Sequence, residues 1–233
     1  MSPGSTKEEY DAFYSEKEFF HYPAKVDTAF FRSIFDKYGI RQGETLLDVG
    51  CGDGVRTARM QALGVQATGL DYSMTGLRKA KNYGLQHWVK GDANRMPFAK
   101  SVFDAVISLG CSLLNTDSVQ GITDAIQEML RVVRPGRWVF AVTTTNYSRQ
   151  SDSVWYNLGR AQLEEAARRT DSANTAIHYT APGIASKFPG LLFHPLINFI
   201  FKYIPGYTRT VVIACQAHTR PGYDHLNHVR SQR

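Results

Sequence analysis

A glycine-rich loop directly after a short apolar strand is the feature that most constrains this chain. Residues 46–54 read Leu-Leu-Asp-Val-Gly-Cys-Gly-Asp-Gly, so every second residue from Gly50 to Gly54 is glycine. Glycine has no Cβ and tolerates dihedrals that other residues resist, which lets a ligand lie against the backbone. Residues 55–63 can form a helix whose first N–H groups would face that ligand. Strand, glycine loop and helix in this order indicate the nucleotide-binding corner of an α/β sheet.

Strand-like and helix-like segments alternate along most of the chain. The aromatic-rich residues 8–38 predict a pair of helices packed before the sheet. We predict strands at 45–49, 65–72, 87–89, 103–109, 138–144, 176–179 and 209–217, and helices at 55–63, 74–82, 122–133 and 153–169. Strands that alternate with helices imply right-handed crossovers and a mostly parallel sheet.

The composition is that of one globular domain with an excess of positive charge. The 233 residues carry a formal net charge of +6, which permits an anionic partner without requiring one. Three widely spaced cysteines, Cys51, Cys111 and Cys215, fit neither a disulfide framework nor a zinc motif. The polar N-terminus does not read as a signal peptide, and the apolar stretch 191–204 is too short to span a bilayer. We therefore expect a cytoplasmic protein.

The spacing of the glycines excludes two common nucleotide-binding loops. A dinucleotide fingerprint needs G-x-G-x-x-G. Its third glycine would fall at Val55 when counted from Gly50, and at Thr57 when counted from Gly52. A phosphate-binding P-loop needs Gly-Lys followed by Ser or Thr, which this segment lacks. The loop must therefore serve a different nucleotide.

Four separated motifs occur in an order that identifies a family. They are DVGCGDG at 48–54, GLDYS at 69–73, GDA and MPF within 91–98, and FD at 103–104 with LRVVRPG at 130–136. As a set they resemble the class I S-adenosylmethionine-dependent methyltransferases, although Arg137 stands where that family usually has a second glycine. The resemblance implies an α/β, Rossmann-like three-layer sandwich. Its sheet would be mostly parallel and seven-stranded, with helices on both faces and an N-terminal helical cap.

The same resemblance implies S-adenosylmethionine as methyl donor, S-adenosylhomocysteine as product, and no metal. It places the glycine loop against the methionine part of the cofactor, Asp71 on the ribose hydroxyls and Asp92 on the adenine amino group. Tyr14 and Tyr22 of the N-terminal segment would close over the cofactor. The candidate cofactor-binding residues are Asp48, Gly50, Cys51, Gly52, Gly54, Asp71, Tyr72, Asp92, Ala93, Leu109, Tyr14 and Tyr22.

The methyl acceptor is expected beyond the carboxyl ends of strands four and five, because ligands of open α/β sheets bind there. The candidate acceptor contacts are Cys111, Asn115, Thr145 and Asn146. His178 and His194 are weak candidates for a catalytic base, since a lone histidine in an apolar context is more often structural.

Several functions fit this pattern, and the leading one is methylation of O or N on a small molecule, in secondary metabolism. One alternative is a lipid or quinone-like acceptor. The apolar stretch 191–204 would then line an acyl channel or dock on a membrane surface, unless it is a buried helix pair or a dimer contact. A second alternative is a cofactor-binding module without catalysis. Methylation of nucleic-acid amines is not expected, because strand four ends in Ser-Leu-Gly-Cys rather than the motif of those enzymes.

We expect one domain with four functional parts. Residues 1–42 would form the helical cap, 43–146 the cofactor-binding half, 147–218 the acceptor side, and 219–233 a flexible tail.

Overall fold

The computed structural model describes Asp11, Ser15 and residues 21–110, 112–114, 116, 118–144, 158–188, 190–203 and 210–219. Several sequence-based candidates lie outside these residues, so their placement stays a prediction: Tyr14, Cys111, Asn115, Thr145 and Asn146. The same holds for the first helix of the cap, for residues 153–157 of the predicted helix 153–169, and for the tail 220–233.

Seven helices and seven strands alternate through the described residues. The helices are α1 (Ala24–Tyr38), α2 (Val55–Gln61), α3 (Met74–Ala80), α4 (Val119–Val132), α5 (Arg160–Arg169), α6 (Pro182–Lys187) and α7 (Pro195–Tyr203). The strands are β1 (Thr45–Val49), β2 (Gln66–Asp71), β3 (Trp88–Lys90), β4 (Phe103–Leu109), β5 (Val133–Thr144), β6 (Asn174–Thr180) and β7 (Thr210–Gln216). Short 3₁₀ turns occupy Lys81–Tyr83 and Ser112–Leu114.

The strands form one sheet in the order β3-β2-β1-β4-β5-β7-β6. β1 to β5 pair in parallel, whereas β7 runs antiparallel to both β5 and β6. The predicted α/β fold with a mostly parallel seven-stranded sheet is therefore confirmed. The strand order reverses between β1 and β4, because β2 and β3 follow on one side and β5 on the other. In an open parallel sheet the ligand crevice lies at such a reversal, beyond the carboxyl ends of the strands.

Helices cover both faces of the sheet with separate apolar clusters. On one face Ile122, Ile126 and Met129 of the strongly amphipathic α4 pack against β4 and β5. On the other face Phe31 and Ile34 of α1 are fully buried against the sheet. The three-layer arrangement follows, because each sheet face has its own apolar cover.

The start of β5 corrects one sequence-based boundary. We expected the Pro135-Gly136 pair to separate the helix from a strand at 138–144, yet β5 begins at Val133. Val133 pairs with Phe103 and Trp138 with Ala105, so the residues between them bulge opposite Asp104. A bulge accommodates proline because its missing N–H is not needed in the ladder there.

Arg137, the residue that departs from the family pattern, has a structural role beside this bulge. Its Nε donates to the Asp104 carbonyl over 3.0 Å, and its guanidinium forms an ion pair with Glu44. Arg134 bonds the Asp104 carboxylate at 2.5 Å. Burial raises the pKa of Asp104, but the hydrogen bonds from Thr45 and Arg134 outweigh this effect and hold the pKa below its usual range. The departure at Arg137 therefore ties the amino ends of β4 and β5 to the segment before β1.

The apolar stretch 191–204 is not one continuous helix. It contains a turn and then α7, which lies against the edge strand β6. The side-chain amide of Asn198 accepts the Tyr179 N–H over 2.7 Å, so α7 satisfies part of the strand edge. Among the described residues, no helix is both long and apolar enough to cross a membrane.

Candidate functional site

The glycine loop leaves the carboxyl end of β1 in the left-handed region of backbone space. Gly50, Gly52 and Gly54 have φ angles of 75°, 58° and 75°. L-residues with a Cβ rarely adopt such angles, so the alternating glycines are required by the path of the chain. The Gly50 and Cys51 N–H groups both donate to the Leu70 carbonyl, over 2.7 and 3.0 Å. The loop is thus fixed against β2, and its residues 51–54 are buried.

The glycines also permit close packing beneath the loop. A Cβ on Gly54 would lie 2.5 Å from the Cβ of Ala80, at the end of α3. A Cβ on Gly69 would lie 2.6 Å from the Sγ of Cys51. Because neither space can hold a methyl group, α3 and β2 approach the loop as closely as backbones allow.

Asp71 connects the end of β2 to the loop. One carboxylate oxygen accepts the Gly52 N–H over 2.8 Å, and the other accepts the Ser73 N–H over 2.8 Å. Burial raises the pKa of this carboxyl, and the backbone hydrogen bonds oppose that rise. The Tyr72 backbone is a third hydrogen-bond donor to this carboxylate. A carboxylate offers about four lone-pair sites, so Asp71 keeps an acceptor site for a further donor, such as a hydroxyl of a ribose.

Asp48 braces the loop from inside the protein. Its carboxylate accepts the Thr57 hydroxyl of α2 over 2.6 Å, and only 2% of the residue is exposed. Burial raises the pKa of Asp48 to about 6, and the Thr57 bond and Arg56 partly offset this rise. We expected Asp48 to bind the cofactor, and this geometry favours an indirect role, in which it sets the angle between β1 and α2.

The loop after β3 carries Asp92 and Ala93. The Asp92 carboxylate is exposed and accepts both the backbone N–H and the side-chain amide of Asn94, over 2.8 and 2.9 Å. Ala93 packs against the neighbouring apolar cluster. A Cβ on Gly91 would lie 2.8 Å from Pro97, so the loop folds tightly back on itself.

Two charged residues of α4 hold this loop in place, and sequence reasoning did not single them out. Glu128 accepts the Met96 N–H over 2.7 Å and pairs with Arg131. Arg131 donates to the carbonyls of Met96 and Phe98, over 3.0 and 2.8 Å. Arg131 stands in the LRVVRPG motif, so the motif itself carried the signal. Its role only becomes visible when α4 and the loop are seen together.

Polar contacts attach the N-terminal segment to the glycine loop, to the turn after β2 and to α2. Asp11 accepts the Ser73 hydroxyl over 2.5 Å and the Thr75 N–H over 3.1 Å. Nε2 of His21 lies 2.8 Å from a carboxylate oxygen of Asp53, inside the loop. Next to it, Arg59 donates to the Tyr22 carbonyl over 2.9 Å, and the cap is thereby joined to α2.

Open space adjoins the end of β4. Gly110 has a φ of 57°, and a Cβ there would have no atom within 4 Å. The preceding Leu109 is half-buried among the apolar residues of one sheet face. Ser108 is fully buried, and its hydroxyl has no hydrogen-bond partner within the described part of the chain.

A methyltransferase domain model matches residues 46–136, which contain the glycine loop, Asp71, Asp92 and the end of β4. The match covers less than half of the chain and assigns residues 46–136 to a methyltransferase domain. Its sequence is 38% identical to a demethylmenaquinone methyltransferase of Beutenbergia cavernae over 114 residues, or 48% of this chain and 45% of that protein. It is 35% identical to a sterol 24-C-methyltransferase of Pneumocystis carinii over 106 residues, or 42% of this chain and 27% of that protein. These matches span less than half the length of either relative.

The fold of this methyltransferase domain is also that of known structures. A phosphoethanolamine N-methyltransferase 2 of Haemonchus contortus, solved in complex with S-adenosyl-L-methionine, aligns with a TM-score of 0.59 at 17% identity. The alignment covers 90% of this chain and 60% of that one. That structure holds S-adenosyl-L-methionine, and the glycine turn and the buried Asp71 carboxylate of the present chain fit this cofactor.

The two histidines that were candidates for a catalytic base lie away from the glycine loop. His178 is on the edge strand β6, four strands from β1, which corresponds to about 19 Å at the usual strand spacing. Its ring nitrogens lie 2.6 Å from the Tyr38 hydroxyl and 3.2 Å from the Asn198 amide. Burial and nearby Lys37 lower the pKa of His178 to about 4. His194 is exposed, and its Nδ1 accepts the Leu196 N–H at the start of α7 over 3.3 Å. Both contacts are structural.

Two grooves are lined by residues outside the glycine loop. One, of about 800 Å³, lies between α5, β6 and α7. The other, of about 760 Å³, lies between α1 and the segment 185–194. Among the described residues, no cluster of three or more His, Cys, Asp or Glu side chains could hold a metal ion.

Proposed function

We propose that this chain transfers a methyl group from S-adenosylmethionine to an oxygen or nitrogen of a small-molecule acceptor. The observation that supports this most directly is the contact between Gly52 and Asp71 at the carboxyl edge of the sheet. It combines a turn of three glycines with positive φ angles and a buried carboxylate with room for a further hydrogen-bond donor. The space beside Gly110 lies at the carboxyl end of β4, the strand next to β1.

Each predicted cofactor contact has a matching chemical task in this proposal. The backbone of Gly50, Cys51, Gly52 and Gly54 would face the methionine part, and Asp71 the ribose hydroxyls. Asp92 would accept the adenine amino group, with Ala93 against the ring. Tyr72, which is 44% exposed beside Asp71, and Leu109 would supply apolar surface for the nucleoside.

The chemistry asks mainly for positioning. The bound cofactor supplies an electrophilic methyl group on a sulfonium, and the departing thioether is neutral. The protein must therefore hold the acceptor in line with that methyl group and exclude water. Its N-terminal cap, held by the His21–Asp53 and Asp11–Ser73 contacts, would do the second task. A general base is needed only where the acceptor loses its proton at or before attack.

Two classes of methyl acceptor are compatible with this proposal. The curated relatives named above act on demethylmenaquinone and on a sterol. Their names favour a second candidate, in which the acceptor is a hydrophobic, lipid or quinone-like molecule. Cys111, Asn115, Thr145 and Asn146 stay the predicted acceptor contacts in both versions. The division into cap, cofactor half, acceptor side and tail, and the cytoplasmic location, likewise stay predictions.

Calorimetric titration and a methyl-transfer assay would test the function in separate steps. Titration with S-adenosylhomocysteine should show one site per chain. Asp71→Asn should weaken that affinity by about 10–100-fold, because the loss of a charged acceptor costs about 1.5–3 kcal/mol. The exposed Asp36→Asn is the matched control and should bind normally. Absence of binding by the unmodified chain would refute the proposal.

A transfer assay with S-adenosylmethionine that carries a labelled methyl group then decides the class of acceptor. Phenols and amines in solution would be compared with a demethylated quinone and a sterol in detergent micelles. Label in the first pair supports the small polar acceptor, and label in the second pair supports the hydrophobic acceptor. Tight cofactor binding without transfer to any of the four would favour the non-catalytic module.

A further inference from the structure

The helix α7 exposes an apolar stripe to solvent. Leu196 and Phe199 are each 59% exposed, and Tyr203 is 52% exposed. These residues follow the i, i+3, i+7 spacing of one helix face. The helix is anchored beside the stripe, because Asn198, which lines the same groove as Phe199 and Tyr203, accepts the Tyr179 N–H of the edge strand over 2.7 Å. The helix therefore cannot rotate to bury the stripe without losing this contact. We call Leu196, Phe199 and Tyr203 the α7 stripe.

The concentration of apolar exposure in this region is unusual for the molecule. Of the six large hydrophobic side chains that are exposed among the described residues, three form the α7 stripe. A fourth, Phe188, is 57% exposed and is joined to the start of α7 by consecutive turns. A contiguous exposed apolar surface of this kind marks an interaction site more often than a solvated face.

The charge around the stripe has one dominant sign. The sequence has no Asp or Glu from residue 172 to residue 223. Arg160 and Lys202 lie 5.1 and 5.5 Å from the Tyr203 ring centroid, and Lys187 precedes Phe188. Glu164 is the acid beside them, and it already pairs with Lys202 at 2.8 Å. An apolar stripe with cations on its flank complements a surface that is apolar inside and anionic outside.

The stripe reaches the edge of the sheet at which the glycine loop lies. α5 ends four residues before β6, whose first residue is at the amino edge of the sheet. Farther up α5, Glu164 bonds the Tyr179 hydroxyl near the carboxyl end of β6. Arg160, one turn earlier, contacts both the Lys202 carbonyl and the Tyr203 ring. The C-terminal end of α7 therefore lies at the carboxyl edge.

We propose that the α7 stripe docks the protein on the surface of an anionic lipid bilayer. The leucine and the two aromatic rings would enter the boundary between headgroups and acyl chains, and the flanking cations would face anionic headgroups. A second copy of the chain fits less well, because a two-fold contact would bring the same cations together without an opposing acid. This inference does not depend on the methyl acceptor, although docking would place the site edge next to a membrane-borne one.

Vesicle flotation of the full chain tests the proposal. The protein is mixed with phosphatidylcholine vesicles, with and without phosphatidylglycerol, and S-adenosylmethionine is omitted. We expect flotation with the anionic vesicles at about 50 mM NaCl and a marked loss at about 500 mM, where the Debye length is less than half as long. Little flotation is expected with phosphatidylcholine alone.

A double variant identifies the surface. Leu196→Gln with Phe199→Gln keeps the helix-forming tendency of α7 and removes two apolar anchors. It should lower the vesicle partition coefficient at least about tenfold. Tyr83→Gln, at another exposed aromatic position outside the stripe, is the control and should float normally. Equal S-adenosylhomocysteine affinity of both variants shows that they are folded.

Two results would overturn this inference. One is failure of the unmodified chain to float with anionic vesicles at low salt while it still binds S-adenosylhomocysteine. The other is normal flotation of the double variant. If neither protein floats, and sedimentation shows that the unmodified chain is a dimer and the double variant a monomer, the stripe is a contact between copies of the chain. Loss of cofactor binding in the unmodified chain would refute the proposed function alone.

Discussion

The imidazole Nε2 of His21 lies 2.8 Å from a carboxylate oxygen of Asp53, which joins the N-terminal cap to the glycine loop. Asp53 lies between Gly52 and Gly54, two of the three loop glycines with positive φ angles. A residue before α1 and a residue inside the loop are thus held together across 32 positions of sequence. Closure of the cap and the shape of the cofactor cradle are linked through this one contact.

Removal of the imidazole should loosen the cap. We expect His21→Ala to weaken S-adenosylhomocysteine affinity about 2–10-fold, because a partly exposed hydrogen bond contributes about 0.5–1.5 kcal/mol. The measurement is calorimetric titration. His87→Ala, at an exposed histidine side chain before β3, serves as control. An unchanged affinity in His21→Ala would show that the cap does not support the loop.

A methyl group at Gly54 should destabilise the whole fold. Gly54→Ala adds a Cβ 2.5 Å from Ala80, at a φ of 75°, so steric overlap adds to backbone strain. The expected cost is about 2–4 kcal/mol in the free energy of unfolding. Gly39→Ala, with a φ of 68° and no atom within 4 Å of its Cβ, should cost only about 1–2 kcal/mol. Urea denaturation compares the two, and equal losses would contradict the packing argument.

Asp48 should make the stability of the protein depend on pH. Its pKa is raised to about 6 from 3.8, so the folded state holds this proton more tightly than the unfolded state. Its contribution is therefore fully present below about pH 4 and is lost as the pH rises through 6, by about 3 kcal/mol in total. Asp48→Asn keeps an acceptor for Thr57 and removes the titration.

The check compares unfolding free energies of Asp48→Asn and the unmodified chain between pH 4 and pH 7. Groups that do not interact with Asp48 titrate equally in both proteins, so they cancel in the difference, which then reports Asp48 together with its neighbour Asp71. Asp48→Asn should gain in relative stability as the pH rises. A difference that stays flat across this range would show that Asp48 does not carry the shifted pKa.

Arg131 should be sensitive even to a conservative change. Arg131→Lys loses the planar fork that donates to Met96 and Phe98 while it bonds Glu128, and lysine cannot reproduce this geometry. We expect a loss of about 1–2 kcal/mol in unfolding free energy and a weaker cofactor affinity. Arg168→Lys, at an exposed ion pair with Glu165, should change stability by less than about 1 kcal/mol. Thermal unfolding and titration give both quantities.

The buried hydroxyl of Ser108 should lower stability in the absence of ligand. It has no partner among the described residues, so Ser108→Ala should stabilise the protein by about 1 kcal/mol. Thr180→Val is the opposite case, because that buried hydroxyl donates to the Leu192 carbonyl over 3.1 Å. It should destabilise by about 1–2 kcal/mol. Denaturant unfolding of both variants decides, and destabilisation by Ser108→Ala would indicate a partner outside the described residues.

Several strand boundaries were within reach of sequence reasoning because local patterns were strong. β1 and β4 have the predicted boundaries, Thr45–Val49 and Phe103–Leu109, since both are apolar runs closed by turn residues. The predicted helix at 74–82 is α3, and Ser73 caps it by accepting the Gly76 N–H. β5 was placed too late, because proline and glycine normally end a strand and only the neighbouring Asp104 shows that they form a bulge.

The features of the site also fall into two groups, those that the sequence determined and those that the tertiary structure decided. The sequence by itself determined the glycine loop, the acid that ends β2 and the loop after β3, because each is a contiguous motif whose chemistry is local. Only the tertiary structure decided that Asp48 braces α2, that Arg131 holds Met96, and that His21 meets Asp53. It also turned one side of the apolar stretch 191–204 outward as the α7 stripe. The Arg131–Met96 and His21–Asp53 contacts join segments more than 30 residues apart, and all three distances follow from packing rather than from any local pattern.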